Sequence, residues 1–295
     1  MPLRFFYVGS VFRYEEPQAG VRREFTQAGI ELIGAATPDA DAEALALAMT
    51  TLRTLGLNDF RFTLGNAAYL HALMRDLNLT AVQEAEVREA IRRKSTSELR
   101  RQLEAASIDP ARKDALACVP TLSGGIQVLD RAPRVNAEAD AAIQHSRAVV
   151  ARLAALGWEN HVTIDLAENR GMAYYTGILF EGFVEGLGFS IVSGGRYDDL
   201  IAHFGAPIPA IGFAVGVERA LLALHARDDG NRASVSPDVI AQWDDDAVRI
   251  DAARARGQIV EMDVLNRDAT ALRGYARVRG AREIWWCDGR REVLK

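Results

Sequence analysis

Apolar residues alternate with polar or small ones over residues 3–16, and do so again over 22–34. Side chains of a strand point to opposite faces with period two, so both stretches predict strands. Between them, EEPQAG carries Pro17 and Gly20, which favour a turn and predict a long hairpin. Pro38-Asp39-Ala40-Asp41 is a helix start with acids in the first turn. The Ala/Leu-rich run after it predicts a helix to about Leu55, ended by Gly56, with DFRFTL (59–64) as the next strand. From about 66 to 130 the pattern is helical and strongly charged, which predicts a helical insertion; a further helix is expected over about 136–156. Strand texture returns in HVTIDLA, MAYYTGILFEGFV and GFSIVSG. A loop, GGRYDDLIAHFGAPIPA, then leads into IGFAVGVERALLALHA, a strand running into a helix. Residues 226–236 are polar and turn-rich and predict a linker, beyond which a strand–helix–strand–helix–strand pattern predicts a small α/β module. Strand-rich ends around a helical middle predict an α+β fold on an antiparallel sheet rather than a wound parallel one.

Composition narrows the class. The 295 residues are 49% hydrophobic and 25% charged, ordinary for a globular protein with a sizeable core. A net charge of −5 argues against broad attraction to phosphate backbones while leaving room for a local basic patch. Cys118 and Cys287 are far apart and form no CxxC, so neither a disulfide framework nor a zinc site is expected, and a reducing cytoplasm fits. No apolar run is long enough to span a bilayer, and the start has no cleavage signature, so no membrane association is expected.

The chemistry-bearing residues fall in two distant segments. Arg13 precedes the Pro/Gly loop, with Arg22 and Arg23 on the return. Converging guanidiniums suit a carboxylate or phosphate because each forks onto two oxygens. Solvated charges on a surface hairpin give the same pattern. Gln27 and Glu31, four apart in a strand, share a face with Phe25, Gly29 and Ile33. A carboxylate on so apolar a face needs a partner, either a ligand ammonium or imidazole or an internal arginine. Downstream, Arg170 falls in a turn and Tyr175 on a strand; Tyr174 and Tyr175 are expected to face opposite ways, so that at most one enters a pocket through its hydroxyl and the other packs. Gly194-Gly195 before Arg196-Tyr197 permits close backbone approach to a ligand or makes a plain turn; phosphate-loop spacing is absent. Glycines 212 and 216 in a strand, with Arg219 at a helix start, fit a ligand lying on the strand or close helix packing. The five histidines show no ligand spacing, and no metal is assigned. Arginine for a carboxylate, carboxylate and amide for an ammonium, and phenols for a flat polar ring together suit a small zwitterion.

Taken in order, these segments resemble the histidyl-tRNA synthetase superfamily of class II. FRYEEPQAGVRREFTQAGIELIG is similar to its motif 2, and RGMAYYTGILFE to its histidine-binding signature. GGRYDDL and GFAVGVERAL resemble its last loop and its motif 3. The resemblance covers about residues 3–225. It implies a class II aminoacyl-tRNA synthetase-like antiparallel sheet with flanking helices and the helical insertion at about 66–130. A linker at 226–236 and a shortened anticodon-domain-like α/β module at 237–295 would come after it. Met1-Pro2-Leu3-Arg4 resembles mid-domain sequence, so the family's motif 1 is expected to be lacking, from a truncated or misassigned start, with exposed sheet edge and apolar surface as the result.

The superfamily has two soluble branches: the synthetase, and the catalytically silent regulatory subunit of ATP phosphoribosyltransferase. Several departures favour the second. DLAEN before Arg170 is similar to the regulatory subunit's run, Ala173 stands where synthetases carry aspartate, and Val21 stands where their motif 2 loop has an arginine resembling an ATP-phosphate ligand. Residues 240–295 hold 11 Lys/Arg against 10 Asp/Glu, whereas anticodon recognition draws on positive charge.

The resemblance therefore implies no catalytic residues, no cofactor and no tRNA. It implies a histidine-sized pocket lined by Arg13, Gln27, Glu31, Arg170, Tyr174, Tyr175 and Tyr197. Arg170 would hold the ligand carboxylate, Glu31 and Tyr175 would contact the imidazole, and Gln27 would lie near the ammonium. Arg219 would be a remnant of the nucleotide site. The implied partners are a short-form ATP phosphoribosyltransferase catalytic subunit, histidine as feedback effector, and a second copy in a homodimer within a hetero-oligomer. The alternative is a histidine-activating, tRNA-charging synthetase or a fragment of one.

Overall fold

The computed structural model describes residues 1–14, 23–75, 77–106, 108–169, 174–227, 236–242 and 247–294. The expected turn EEPQAG, Val21, Arg22, Arg170, Ala173 and most of the expected linker lie outside the described residues. The chain divides into two units, Met1–Arg227 and Asp228–Lys295.

The first unit opens with β1 (Leu3–Phe12) and β2 (Glu24–Ile33), paired antiparallel from Leu3↔Ile33 to Phe12↔Glu24. Next comes α1 (Pro38–Thr54), capped by Thr37, whose side chain accepts from the Ala40 amide. Asp39 and Asp41 complement the dipole of its first turn. Leu45, Met49 and Leu52 recur at helical spacing and are fully buried, while Ala44 and Ala48 allow close approach to the sheet. β3 (Phe60–Asn66) then runs into α2 (Ala67–Met74). The charged middle forms α3 (Ala81–Arg92), α4 (Thr96–Ala105) and α5 (Pro110–Cys118). A short β4 (Ser123–Gly124), α6 (Val128–Arg131) and the long α7 (Ala137–Ala155) complete it.

The chain returns to the sheet through β5 (Val162–Asp165), β6 (Ile178–Val184), β7 (Val192–Arg196) and β8 (Ala210–Gly216), ending in α8 (Val217–Arg227). Among the described residues the sheet runs β1-β2-β8-β7-β6-β3-β5-β4. Every pairing is antiparallel except β3 with β5. Parallel neighbours need a long crossover, and the helices α2 to α7 supply it. The helical middle is thus the connection between two adjacent strands as well as an insertion. At the other end β1 is an edge that no described residue covers: Phe6, Val8 and Phe12 are all more than two-thirds exposed.

Two expectations need correcting. Gly194-Gly195-Arg196 belongs to β7, not to a loop, and Tyr175 precedes β6 instead of lying on it.

The second unit has β9 (Val239–Ala241), α9 (Ala247–Ala255), β10 (Val260–Met262), α10 (Ala269–Arg279), β11 (Glu283–Trp285) and β12 (Arg291–Val293). Its sheet order is β10-β9-β11-β12, with β9 parallel to both neighbours. The last strand, antiparallel to β11, was not among the sequence expectations. Trp285 and Trp286 alternate: the first packs with Val239 and Ala253, the second with Ile240, Leu272 and Ala276.

Candidate functional site

Directly paired residues share a sheet face, so register alone defines the floor of a site. One row reads Phe5, Glu31, Gly212, Gly195, Leu179 and Gly65 across β1, β2, β8, β7, β6 and β3. Two residues along, the same face carries Tyr7, Gly29, Ala214, Ser193 and Glu181. Four of these eleven positions are glycine, so the floor around Glu31 is partly bare backbone, with a few polar side chains lying on it. The glycines are required there. A Cβ on Gly212 would overlap the Glu31 carboxylate, one on Gly195 would come within 2.7 Å of the Tyr175 ring, and one on Gly29 within 2.6 Å of the Tyr7 hydroxyl.

Glu31 is the centre of this arrangement. The Tyr197 hydroxyl donates to its Oε2, and among the described residues no donor is placed on its other oxygen. Of the two partners expected, the internal arginine is not found among the described residues; Tyr197 holds one carboxylate oxygen. Burial raises the Glu31 pKa above the usual carboxylate value, and the Tyr197 hydrogen bond partly offsets this. Burial likewise raises the phenol of Tyr197, with its bond to Glu31 as the next cause. Tyr175 is raised by burial and then by Tyr174, and Tyr7 by burial, then by Glu31 and Tyr174. At neutral pH these phenols are uncharged hydroxyls gathered around one carboxylate.

Tyr174 and Tyr175 were expected on opposite faces. Their rings instead lie 4.7 Å apart at 54°, and Tyr174 also meets Tyr197 edge-on at 6.0 Å. The alternation rule fails because neither residue is in a strand. Tyr174, Tyr175, Tyr197 and Glu31 are thus brought together, with Tyr7 as a further wall. Tyr7 escaped the sequence reading, although the glycine opposite it in the hairpin was a usable signal for a covering side chain.

Arg13, Gln27 and Arg219 line a neighbouring cleft of about 680 Å³ with Phe25, Ser193 and Glu218. The Arg13 guanidinium lies 5.7 Å from the centre of the Phe25 ring. Arg23 sits over Tyr14 at 5.2 Å, and its carbonyl accepts from the Arg13 amide at 2.9 Å. Arg219, in the first turn of α8, donates to the Ser190 carbonyl at 2.8 Å and lies over Phe189. Glu181, also overlooked in the sequence, stands on the same sheet face and accepts from Ser190 Oγ at 3.0 Å. The expected site residues are therefore divided between a phenol–carboxylate cluster and an arginine-bearing cleft. Gln27 and Glu31, on one face of β2, join the two. Among the described residues no cluster of His, Cys, Asp and Glu is arranged to hold a metal ion, and no helix is long and apolar enough to cross a membrane.

A family model described as histidyl-tRNA synthetase matches residues 1–220. The ATP phosphoribosyltransferase regulatory subunit of Desulforamulus reducens is 37% identical over 303 residues, covering 99% of this chain and 75% of that protein. Its namesake in Geobacter sulfurreducens is 39% identical over 284 residues, 94% of this chain and 65% of that one. Among solved structures, an ATP phosphoribosyltransferase regulatory subunit/histidyl-tRNA synthetase from Bacillus halodurans superposes with a TM-score of 0.76 at 27% identity, covering 97% of this chain and 74% of that one. Histidyl-tRNA synthetase from Nostoc has the same fold, with a TM-score of 0.68 at 22% identity over 99% of this chain and 75% of that one. By its sequence and its synthetase-like fold, the chain belongs to the family of ATP phosphoribosyltransferase regulatory subunits.

Proposed function

We propose that this chain acts as a non-catalytic regulatory subunit, assembling with a short-form ATP phosphoribosyltransferase catalytic subunit and binding histidine as its effector at the Glu31 cluster. The observation that carries the ligand reading is the half-buried Glu31 carboxylate, held on one oxygen by Tyr197 and walled by neutral phenols over a glycine floor. A flat, weakly basic ring with an N–H donor suits such a place: its donor meets the remaining carboxylate oxygen and its face meets tyrosine rings. Gln27 and Arg13, farther along the same face, suit the ammonium and carboxylate of an amino acid. Arg170 is proposed as the main carboxylate partner. The engagement of Arg219 with Ser190 and Phe189 supports a nucleotide site no longer kept for a triphosphate. The partner reading rests on the names that the relatives bear. A homodimer within the hetero-oligomer is part of the same proposal, with the exposed β1 edge available for it.

The test is the rate of the short catalytic subunit with and without this chain, and then a histidine titration. Stimulation that histidine reverses is the expected outcome. A rate that ignores both additions refutes the proposal, and histidine-dependent pyrophosphate exchange by this chain alone would favour the synthetase instead. Histidine can act as an effector only through unequal affinity for two states of the complex, so its binding should differ with and without the catalytic subunit.

A further inference from the structure

We infer that Arg196 is a positioning residue for the pocket: its buried fork, anchored on Asp41, holds Tyr197 against Glu31 and fixes the segment that carries Tyr174 and Tyr175. The inference rests on the ligand reading above for its functional meaning, but not for its geometry. Arg196 is the last residue of β7 and Tyr197 the first beyond it, so the two side chains leave on opposite sides of the sheet. Tyr197 enters the site. Arg196, only 4% exposed, turns into the helix layer and meets Asp41 of α1, which is fully buried.

Nearly every donor of that guanidinium is used. Nε donates to Asp41 Oδ1 at 2.9 Å and Nη2 to the same oxygen. Nη1 donates to the Ala35 carbonyl at 3.0 Å and to Asp198 Oδ1 at 2.8 Å. The second Asp41 oxygen is bonded to His145 Nε2 of α7 at 2.5 Å. The Arg196 side chain thus ties the end of β7 to α1 and to the turn before it, and Asp41 passes the connection on to α7.

On the site side, the β6–β7 ladder ends at Gly195, so its bonds do not orient the residues beyond that point. A second set of bonds takes over. The Arg196 carbonyl accepts from the Thr176 amide at 2.8 Å, and Thr176 Oγ1 accepts from the Asp198 amide at 2.9 Å. Asp198 Oδ1, already held by Arg196, also accepts from the Ala210 amide at 3.0 Å, while the Tyr197 amide donates to the Ala210 carbonyl at 2.8 Å. The Arg196 stem also passes beneath Gly177, where a Cβ would come within 2.9 Å of its Cδ. Tyr197 is bracketed on both sides by atoms that Arg196 orders, and Tyr175 is one residue from Thr176. A planar fork does this and a point charge cannot, because acceptors in different directions need fixed N–H vectors.

A double-mutant cycle on the full chain separates positioning from mere support. Histidine affinity would be measured by calorimetry for wild type, R196Q, Y197F and R196Q/Y197F. The Tyr197 signal would be monitored by NMR of ¹³Cζ-tyrosine protein, assigned by its loss in Y197F. Arg196 acting through Tyr197 predicts about tenfold weaker binding in each single variant, no further loss in the double variant, and a displaced Tyr197 signal in R196Q. Losses that multiply to about a hundredfold, or an unmoved Tyr197 signal in R196Q, overturn the inference. Should R196Q fail to fold, R196K keeps the charge without the fork; its Tyr197 signal is expected to shift, and an unchanged one is equally fatal. Wild-type protein that takes up no histidine would refute the ligand reading alone, since the Tyr197 signal still reports on the geometry.

Discussion

The Tyr197 hydroxyl reaches across β8 to donate to Glu31, joining the end of β7 to the C-terminal part of β2. The contact is possible because the residue between them on β8 is Gly212, whose missing side chain leaves the carboxylate room to lie on the backbone. Three residues thereby make one feature: a carboxylate held above its usual pKa, with one oxygen bonded and no donor on the other among the described residues.

That raised pKa fixes the sign of a pH effect. A carboxyl whose folded pKa exceeds its unfolded value stabilises the fold most when protonated, and the benefit is lost as pH rises through the folded pKa. The Glu31 charge is therefore a burden on the fold at neutral pH. Glu31→Gln is expected to unfold at higher denaturant concentration than wild type at pH 7. The difference should vanish below the ordinary carboxylate value of 4.5. Urea titrations of both proteins between about pH 4 and 8 measure it. The variant should also bind histidine at least tenfold more weakly, about 1.4 kcal/mol.

Gly212→Ala addresses the floor. A methyl group there overlaps the Glu31 carboxylate and lies against the Ile30 carbonyl, so strand or side chain must shift. Overpacking of this kind costs about 1–3 kcal/mol. The expected result is a lower urea midpoint together with loss of histidine binding. A variant with wild-type affinity would mean that the carboxylate is not where the ligand sits.

Asp41→Ala removes one partner of a buried pair, leaving Arg196 Nε and Nη2 without their acceptor while Nη1 keeps Asp198 and the Ala35 carbonyl. Breaking such a pair costs about 3–5 kcal/mol, more than any exposed ion pair is worth. Chemical denaturation should show a loss of that size. Asp41→Asn, which keeps an acceptor for the fork, should lose less.

Phe6→Lys tests the open edge. Phe6, Val8 and Phe12 stand out from β1 with no described neighbour covering them. A charge on an edge strand discourages pairing with another chain. Sedimentation velocity should show a smaller assembled fraction for the variant than for wild type, with unchanged urea stability.

Much of the sheet was legible in sequence because its signal is local. Alternation marked β1 and β2, Pro38 and the acids after it marked α1, and the run into Arg219 marked the β8–α8 junction. The second unit read correctly up to β11, but β12 is three residues long and too short to alternate visibly. The hidden features depended on register. Nothing in the run GGRYDD distinguishes a turn from a strand packed so tightly that only glycine fits; the neighbours of Gly194 and Gly195 are Phe213 and Tyr175, from other segments. The pairing of Tyr174 with Tyr175 was misjudged for a related reason. Period-two reasoning holds only inside a ladder, and the ladder begins at Ile178. Arg196 went unremarked because its acceptor, Asp41, reads in sequence as an ordinary first-turn helix acid.

The glycine floor has a consequence for how this pocket can change over time. Bare main chain offers no rotamer to adjust, so a mutation there ruins the cavity before it can reshape it. Any drift toward a different guest must therefore come through the four tyrosines and Glu31, which arrive on four separate segments, Tyr174 and Tyr175 sharing one.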